Sequence, residues 1–272
     1  MLAKKINMYS ALTLVKKYLH YYIKASNGKG HGVHSPFVYS FIREALMKSS
    51  ENPKKGSIET RRKHLLQSKE LVSVIDLGAG SRQNNSSERK VKDIAKSALK
   101  PVKYSDLLYK IVHYFKPEQI VEMGTSLGIT TCYLAAAAQP SDIVTMEGAP
   151  AIAAIAKDSF LTLGFDNIKV MEGNFDEQLP LYLNSVSSVG LVYIDGNHKY
   201  EPTMHYFNML LNKINLNSIL IFDDIHWSKE MEQAWEEIKE HPSVRVTIDL
   251  FFIGLVFFRK EQKEKEHFII RY

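Results

Sequence analysis

The stretch QIVEMGTSLGITTCYLAAAA, Gln119 to Ala138, decides the fold. A strand-like run, QIVEM, leads into Gly124-Thr125-Ser126-Leu127-Gly128, and an apolar helical run follows at once. A loop that cradles a nucleotide-type ligand needs this order, because a helix start aims free backbone N–H groups at the ligand. Gly124 permits the sharp turn; Gly128 lets the backbone approach a ligand and the helix pack closely. The next strand candidate, 143–147 (IVTME), ends in Glu147, 23 residues after Gly124. In a doubly wound fold an acid at that place accepts hydrogen bonds from ribose hydroxyls.

Outward from this unit the same texture repeats. Strand-length apolar runs at 168–172 (IKVME), 190–195 (GLVYID) and 218–223 (SILIFD) alternate with helical patterns near 129–138, 150–163, 201–213 and 228–240. Near-continuously apolar strands separated by helices predict a mostly parallel, doubly wound α/β sheet of Rossmann-like type. The run VRVTIDLFFIGLVFFRK, Val244 to Lys260, holds two strand-like segments with no helix between them. It predicts an antiparallel hairpin at one sheet edge, a place where a homodimer can form.

Charge divides the chain. Residues 1–104 hold 21 Lys+Arg against 7 Asp+Glu, a net of +14, and the remainder a net of −9. This favours a basic, helical N-terminal extension over 1–103, appended to a main domain over 104–272. Residues 2–24 carry Leu12, Leu14, Val15, Tyr18, Leu19, Tyr22 and Ile23 at roughly helical spacing among lysines. That suits a helix lying on the main domain, or a basic amphipathic helix on an anionic surface. Ser35-Pro36 marks a further helix start. His31 and His34 are weak ligand candidates, and their loop with SPFVYSF is expected to act as a lid. Residues 49–70 read as loop. VSVIDLGAGS, Val72 to Ser81, offers a second glycine loop, but no apolar helix follows it, so it is expected to be a strand or turn of the extension. The one cysteine, Cys132, excludes an internal disulfide and sits in an apolar run. With no signal-peptide pattern and no spanning run, the expected compartment is the cytoplasm.

Three carboxylates stand at the ends of the later strands: Asp195 in LVYIDGNHKY, then Asp223 and Asp224 in ILIFDDIHW. Ligands of open α/β sheets sit over such ends. Crowded like charges repel, and a divalent cation with oxygen ligands relieves them. His198 stands three residues after Asp195, and an imidazole accepts a proton at neutral pH.

VEMGTSLGITTCYLA followed by VTMEGAP resembles the first two motifs of class I S-adenosylmethionine-dependent methyltransferases, over roughly residues 104–260. Ser126 stands where the usual loop has its middle glycine, a change found in the catechol-type O-methyltransferase branch. The resemblance implies that Glu122 and the loop residues Gly124, Thr125, Ser126 and Gly128 hold the methionine part of the cofactor. It implies Glu147, with Gly148, at the ribose, and Asn174 and Phe175 of MEGNF beside the adenine. It also implies Asp195, Asp223 and Asp224 as ligands of Mg²⁺ or another divalent cation, with Asp195 reaching the cofactor too. His198 falls where the family places its catalytic lysine. The expected reaction is methyl transfer to the hydroxyl of a small molecule.

Rival readings remain. Gly124-Thr-Ser126-Leu-Gly128 also fits the Gly-x-Ser-x-Gly elbow of serine hydrolases, with Asp195 or Asp223 and His226 cast as partners. In that scheme Glu122 and Glu147 have no role. A nicotinamide dehydrogenase fits by fold alone. The basic N-terminal segment could instead grip RNA as the methyl acceptor, although its charges are scattered among polar loops.

Overall fold

A computed structural model describes residues 8–26, 28–30, 33–75, 86–138, 141–261 and 264–272. His31 and Asp76–Ser81 lie outside the described residues, and His34 is exposed. The chain divides into two compact units, Lys48–Tyr182 and Met1–Met47 with Leu183–Tyr272. The compact units change over at 47/48 and 182/183, whereas the change of charge falls at 103/104.

The unit Lys48–Tyr182 begins with α3 (Lys55–Gln67), the hairpin β1 (Leu71–Ile75) and β2 (Ser86–Lys90), α4 (Val91–Ala98) and α5 (Val102–Phe115). Helix α3 corrects the reading of 49–70 as loop. Its buried stripe is Ile58, Arg62 and Leu65. Arg62 spends its guanidinium inside, donating to Glu59 at 3.0 Å, the Lys100 carbonyl at 2.7 Å and Ser105 at 3.2 Å. A stripe with arginine at its middle does not register as apolar, although each nitrogen of the buried guanidinium finds an acceptor. Val72–Ile75 pairs antiparallel with Ser86–Arg89, so the start of the second glycine-loop candidate is a strand.

Then come β3 (Ile120–Met123), α6 (Ile129–Ala138), β4 (Ile143–Glu147), α7 (Pro150–Thr162), β5 (Ile168–Glu172) and α8 (Phe175–Ser185). The three strands pair in parallel, Ile120 opposite Ile143 and Ile143 opposite Ile168. All of β3 is buried, its charged Glu122 included. Gly128 shows why the loop turns as it does. Its φ is +80°, and a Cβ there would lie 2.6 Å from the Phe160 ring of α7. The missing side chain lets α7 close on α6, and the aromatic ring fills the space.

The other unit holds α1 (Ala11–Lys24), α2 (Pro36–Phe41) and a π-helical turn, Ile42–Leu46. Farther along come β6 (Leu191–Ile194), α9 (Tyr200–Leu211), β7 (Ile219–Asp223), α10 (Lys229–Glu240), β8 (Val246–Asp249), β9 (Ile253–Phe257) and β10 (Glu266–Ile269). β6 and β7 pair in parallel; β9 runs antiparallel to both β7 and β8. The expected hairpin is therefore present, but it is not the edge. β10 pairs in parallel with β8 and covers it. β10 was missed because its sequence, EHFI, alternates exposed and half-buried residues and is only 4 residues long. The whole is mixed α/β, mostly parallel, with antiparallel strands toward the C-terminal end. Among the described residues no helix is long and apolar enough to cross a membrane.

Candidate functional site

In the unit Lys48–Tyr182 the loop between β3 and α6 is shaped mainly by its own backbone. The N–H groups of Gly124 and Thr125 both donate to the Met146 carbonyl, at 3.0 and 3.1 Å. Gly124 takes φ +112° and Ser126 φ +47°. A left-handed non-glycine residue costs on the order of 1 kcal/mol, and a specific bond offsets it here. The Ser126 N–H donates to Glu147 Oε2 at 2.9 Å, while Ala149 N–H donates to Oε1 at 3.0 Å. Both carboxylate oxygens are thus fixed by backbone, and each keeps lone pairs for a further donor. Burial raises the Glu147 pKa, against the pull of the Ala149, Ser126 and Gly148 N–H groups.

Glu122 lies beneath the loop and is fully buried. Its Oε2 accepts from the Thr131 and Thr145 hydroxyls. Thr145 in turn meets Thr125 at 2.6 Å. This polar knot joins β3, β4, α6 and the loop. Gly173, after β5, takes φ +134° and donates to the Glu147 carbonyl at 2.9 Å. Asn174 then opens α8, its Oδ1 accepting from Asp176 N–H at 3.1 Å, a capping arrangement. Phe175 is the first residue of that helix and is half-buried. So the strand ends of β3, β4 and β5 carry Glu122, Glu147 and the Gly173–Phe175 turn on three adjacent strands. Cys132 is buried, and desolvation first and the Glu122 charge second push its thiol far above the ordinary range. It is not a nucleophile.

In the other unit the acidic strand ends come together. One donor atom each from Asp195, His198 and Asp223 lies within 4.8 Å of the others. His198 Nε2 is 3.5 Å from Asp195 Oδ1, and Tyr193 Oη donates to Asp195 Oδ2 at 2.9 Å. Asp223 is buried at the end of β7. Asp224 follows with φ +55°, its N–H donating to the Phe252 carbonyl at 2.7 Å. It acts on His198 through charge but is outside the converging trio. Burial lowers the His198 pKa, yet Asp195, Asp223 and Asp224 outweigh burial and hold it up at about 9. Asn197, also left-handed, sets the turn between Asp195 and His198 and donates to Tyr206 Oη at 2.8 Å.

A second histidine network was not anticipated. His226 Nδ1 lies 3.1 Å from Glu232 and Nε2 lies 2.7 Å from Asp249. Glu232 also accepts from Tyr9 at 2.7 Å and Lys17 at 2.9 Å. Asp249 ends β8, as Asp223 ends β7, so the strand-end rule that found the other acids would have found it. With both ring nitrogens engaged, His226 has none to offer a serine, and the hydrolase reading loses its base.

Comparison with known proteins follows the same lines. Residues 121–225 match the family described as a methyltransferase domain. The SAH-bound Podospora anserina methyltransferase PaMTH1 superposes with a TM-score of 0.57 at 12% identity, covering 94% of this chain and 99% of that one. The O-methyltransferase from Bacillus cereus, in complex with SAH, gives 0.54 at 16%, covering 81% and 97%. TomG from Streptomyces achromogenes, an O-methyltransferase in complex with SAM, gives 0.53 at 16%, covering 82% and 96%. At these identities the likeness establishes the fold, which is Rossmann-like. An uncharacterized protein, R132 of Acanthamoeba polyphaga mimivirus, is 28% identical over 69 residues, which is 24% of this chain and 31% of that protein.

Proposed function

For a chain with a methyltransferase domain at residues 121–225 and an O-methyltransferase-like class I fold, we propose S-adenosylmethionine-dependent methyl transfer to the hydroxyl of a small molecule. The observation that carries this is the fixed Glu147 carboxylate, bonded to the N–H of Ser126 in the glycine loop. Glu147 with Gly148 takes the ribose hydroxyls. Gly124, Thr125, Ser126 and Gly128 present backbone to the methionine part, and buried Glu122 sets that loop from below. Asn174 and Phe175 flank the adenine.

Asp195 and Asp223, with Asp224 as a third place, would hold a divalent cation; oxygen-rich donors of this kind suit Mg²⁺ or Mn²⁺. When bound, the cofactor supplies a sulfonium methyl group, and the cation lowers the pKa of the acceptor hydroxyl. Asp195 and Asp223 fit such an ion because their donor atoms already converge, with His198, and their like charges otherwise repel. His198 is the group that would take the acceptor's proton, and carboxylates committed to the ion would pull less on its own proton. A second reading follows from the same convergence: His198 is itself a ligand. His198→Ala separates the two, since loss of a base spares metal affinity and loss of a ligand does not. The proposed compartment is the cytoplasm, in keeping with a chain whose single cysteine allows no internal disulfide.

The first test is calorimetric titration of S-adenosylhomocysteine into wild type and Glu147→Ala. Binding near micromolar, about −8 kcal/mol, that weakens in the variant supports the reading; no binding to folded wild type defeats it. Turnover of catechol and other hydroxylated acceptors, with and without Mg²⁺ and chelator, then tests the substrate class and the ion.

A further inference from the structure

Helix α1 is fixed by one face and bare on another. At its start Tyr9 N–H donates to the Trp227 carbonyl at 3.2 Å; past its end Ser26 N–H donates to the Ile269 carbonyl at 2.8 Å. Between them Tyr21 and Ala25 pack on Phe251, with the Tyr18 and Tyr21 rings 5.1 and 5.3 Å from that ring. Lys17 bonds Glu232. The helix therefore cannot roll to hide its other side.

That other side is apolar. Leu12, Val15, Leu19 and Ile23 are 67%, 54%, 56% and 77% exposed, and Tyr22 stands with them at 49%. At about 100° per residue these five positions share an arc of about 100°. Single exposed apolar residues are ordinary, but a continuous stripe on an anchored helix is not. Beside the stripe runs an i, i+4 row of Lys16, His20 and Lys24, all exposed. The buried face completes the turn, so the helix has three distinct sides.

The basic row borders a pocket of about 520 Å³ that Lys16, Lys17, His20 and Lys24 line from α1. Its carboxylates are already engaged: Glu232 by Lys17, Glu236 by Lys239, Asp249 by His226. Lys16 and Lys24 make no ion pair among the described residues. Residues 1–43 contain 7 Lys+Arg and no Asp or Glu, the first acid being Glu44.

We propose that α1 is an interfacial anchor for an anionic lipid surface: Leu12, Val15, Leu19, Tyr22 and Ile23 enter the acyl boundary while Lys16, His20 and Lys24 meet phosphate headgroups. Apolar area alone would serve a protein partner as well; the adjoining basic row and the acid-free segment select a negatively charged one. The helix lies in the plane of the surface and crosses nothing.

The test is sedimentation of the full chain with phosphatidylcholine vesicles, and with the same vesicles carrying a third of phosphatidylglycerol. Expected are binding to the anionic vesicles alone, and at least tenfold weaker binding at 0.5 M salt. Leu19→Ser/Ile23→Ser and Lys16→Gln/Lys24→Gln should each lower binding at least tenfold. Circular dichroism should match wild type, because the changed side chains are exposed. Equal binding to neutral vesicles, or no binding to either, overturns the proposal. So does a lipid-free dimer in light scattering that Leu19→Ser/Ile23→Ser dissolves, since the stripe would then be a seam between two copies.

Discussion

His198 and His226 are both held near pKa 9 by carboxylates at strand ends, yet they are built for different purposes. His226 is saturated, with Glu232 on one nitrogen and Asp249 on the other. His198 has one carboxylate at 3.5 Å and no partner for its other nitrogen among the described residues. A fully engaged imidazolium is a brace. A half-engaged one beside two converging carboxylates can exchange a proton or a ligand. A raised pKa alone does not distinguish them; the count of occupied nitrogens does.

The largest effect that sharpens this contrast is expected at His198. His198→Ala should lower kcat by about 10²–10⁴-fold, the usual worth of a positioned general base, while the melting temperature stays within a few degrees. His226→Ala should do the reverse. It takes the imidazolium from buried Asp249, while Glu232 keeps Lys17 and Tyr9, at a cost of about 3 kcal/mol in chemical denaturation. If both variants lose activity and neither loses stability, the contrast fails.

The same brace predicts a pH dependence. Burial lowers the His226 pKa, but bonds to Asp249 and Glu232 raise it to about 9, above the ordinary value of 6.5. Its stabilisation is complete below about pH 6.5 and is lost as pH rises through 9. Wild type should therefore lose stability across that window, with His198 held at the same value adding to the slope, and His226→Gln should remove about 2–3 kcal/mol of the loss. A smaller effect is expected in the glycine loop. Glu147→Ala should weaken S-adenosylhomocysteine binding by about 10–100-fold, as loss of charge-assisted hydrogen bonds does. Gly128→Ala, meeting Phe160, should cost about 1–3 kcal/mol of stability, measured by denaturant titration.

The loop, its glycines and Glu147 were legible because local chemistry dictates them: a turn needs Gly124, and close helix packing needs Gly128. Asp195, Asp223 and His198 were legible by position at strand ends, and the structure gathers these three while leaving Asp224 outside. What escaped the sequence was long-range pairing. Arg62 occupies a core position because Glu59, Lys100 and Ser105 receive it. His226 is a brace because Glu232 and Asp249 meet it from 6 and 23 residues away. α1 was read as either packed or surface-seeking; its faces are separately both, and only the fold shows which residue belongs to which.

The bond from Ser126 N–H to Glu147 has a consequence for the thermodynamics of ligand capture. The protein's own backbone staples the turn to the carboxylate, which limits the chain entropy that binding can cost. Association of a nucleoside-type ligand should then show the small entropic penalty of a rigid receptor, and removing the staple should make binding more enthalpic and slower to settle.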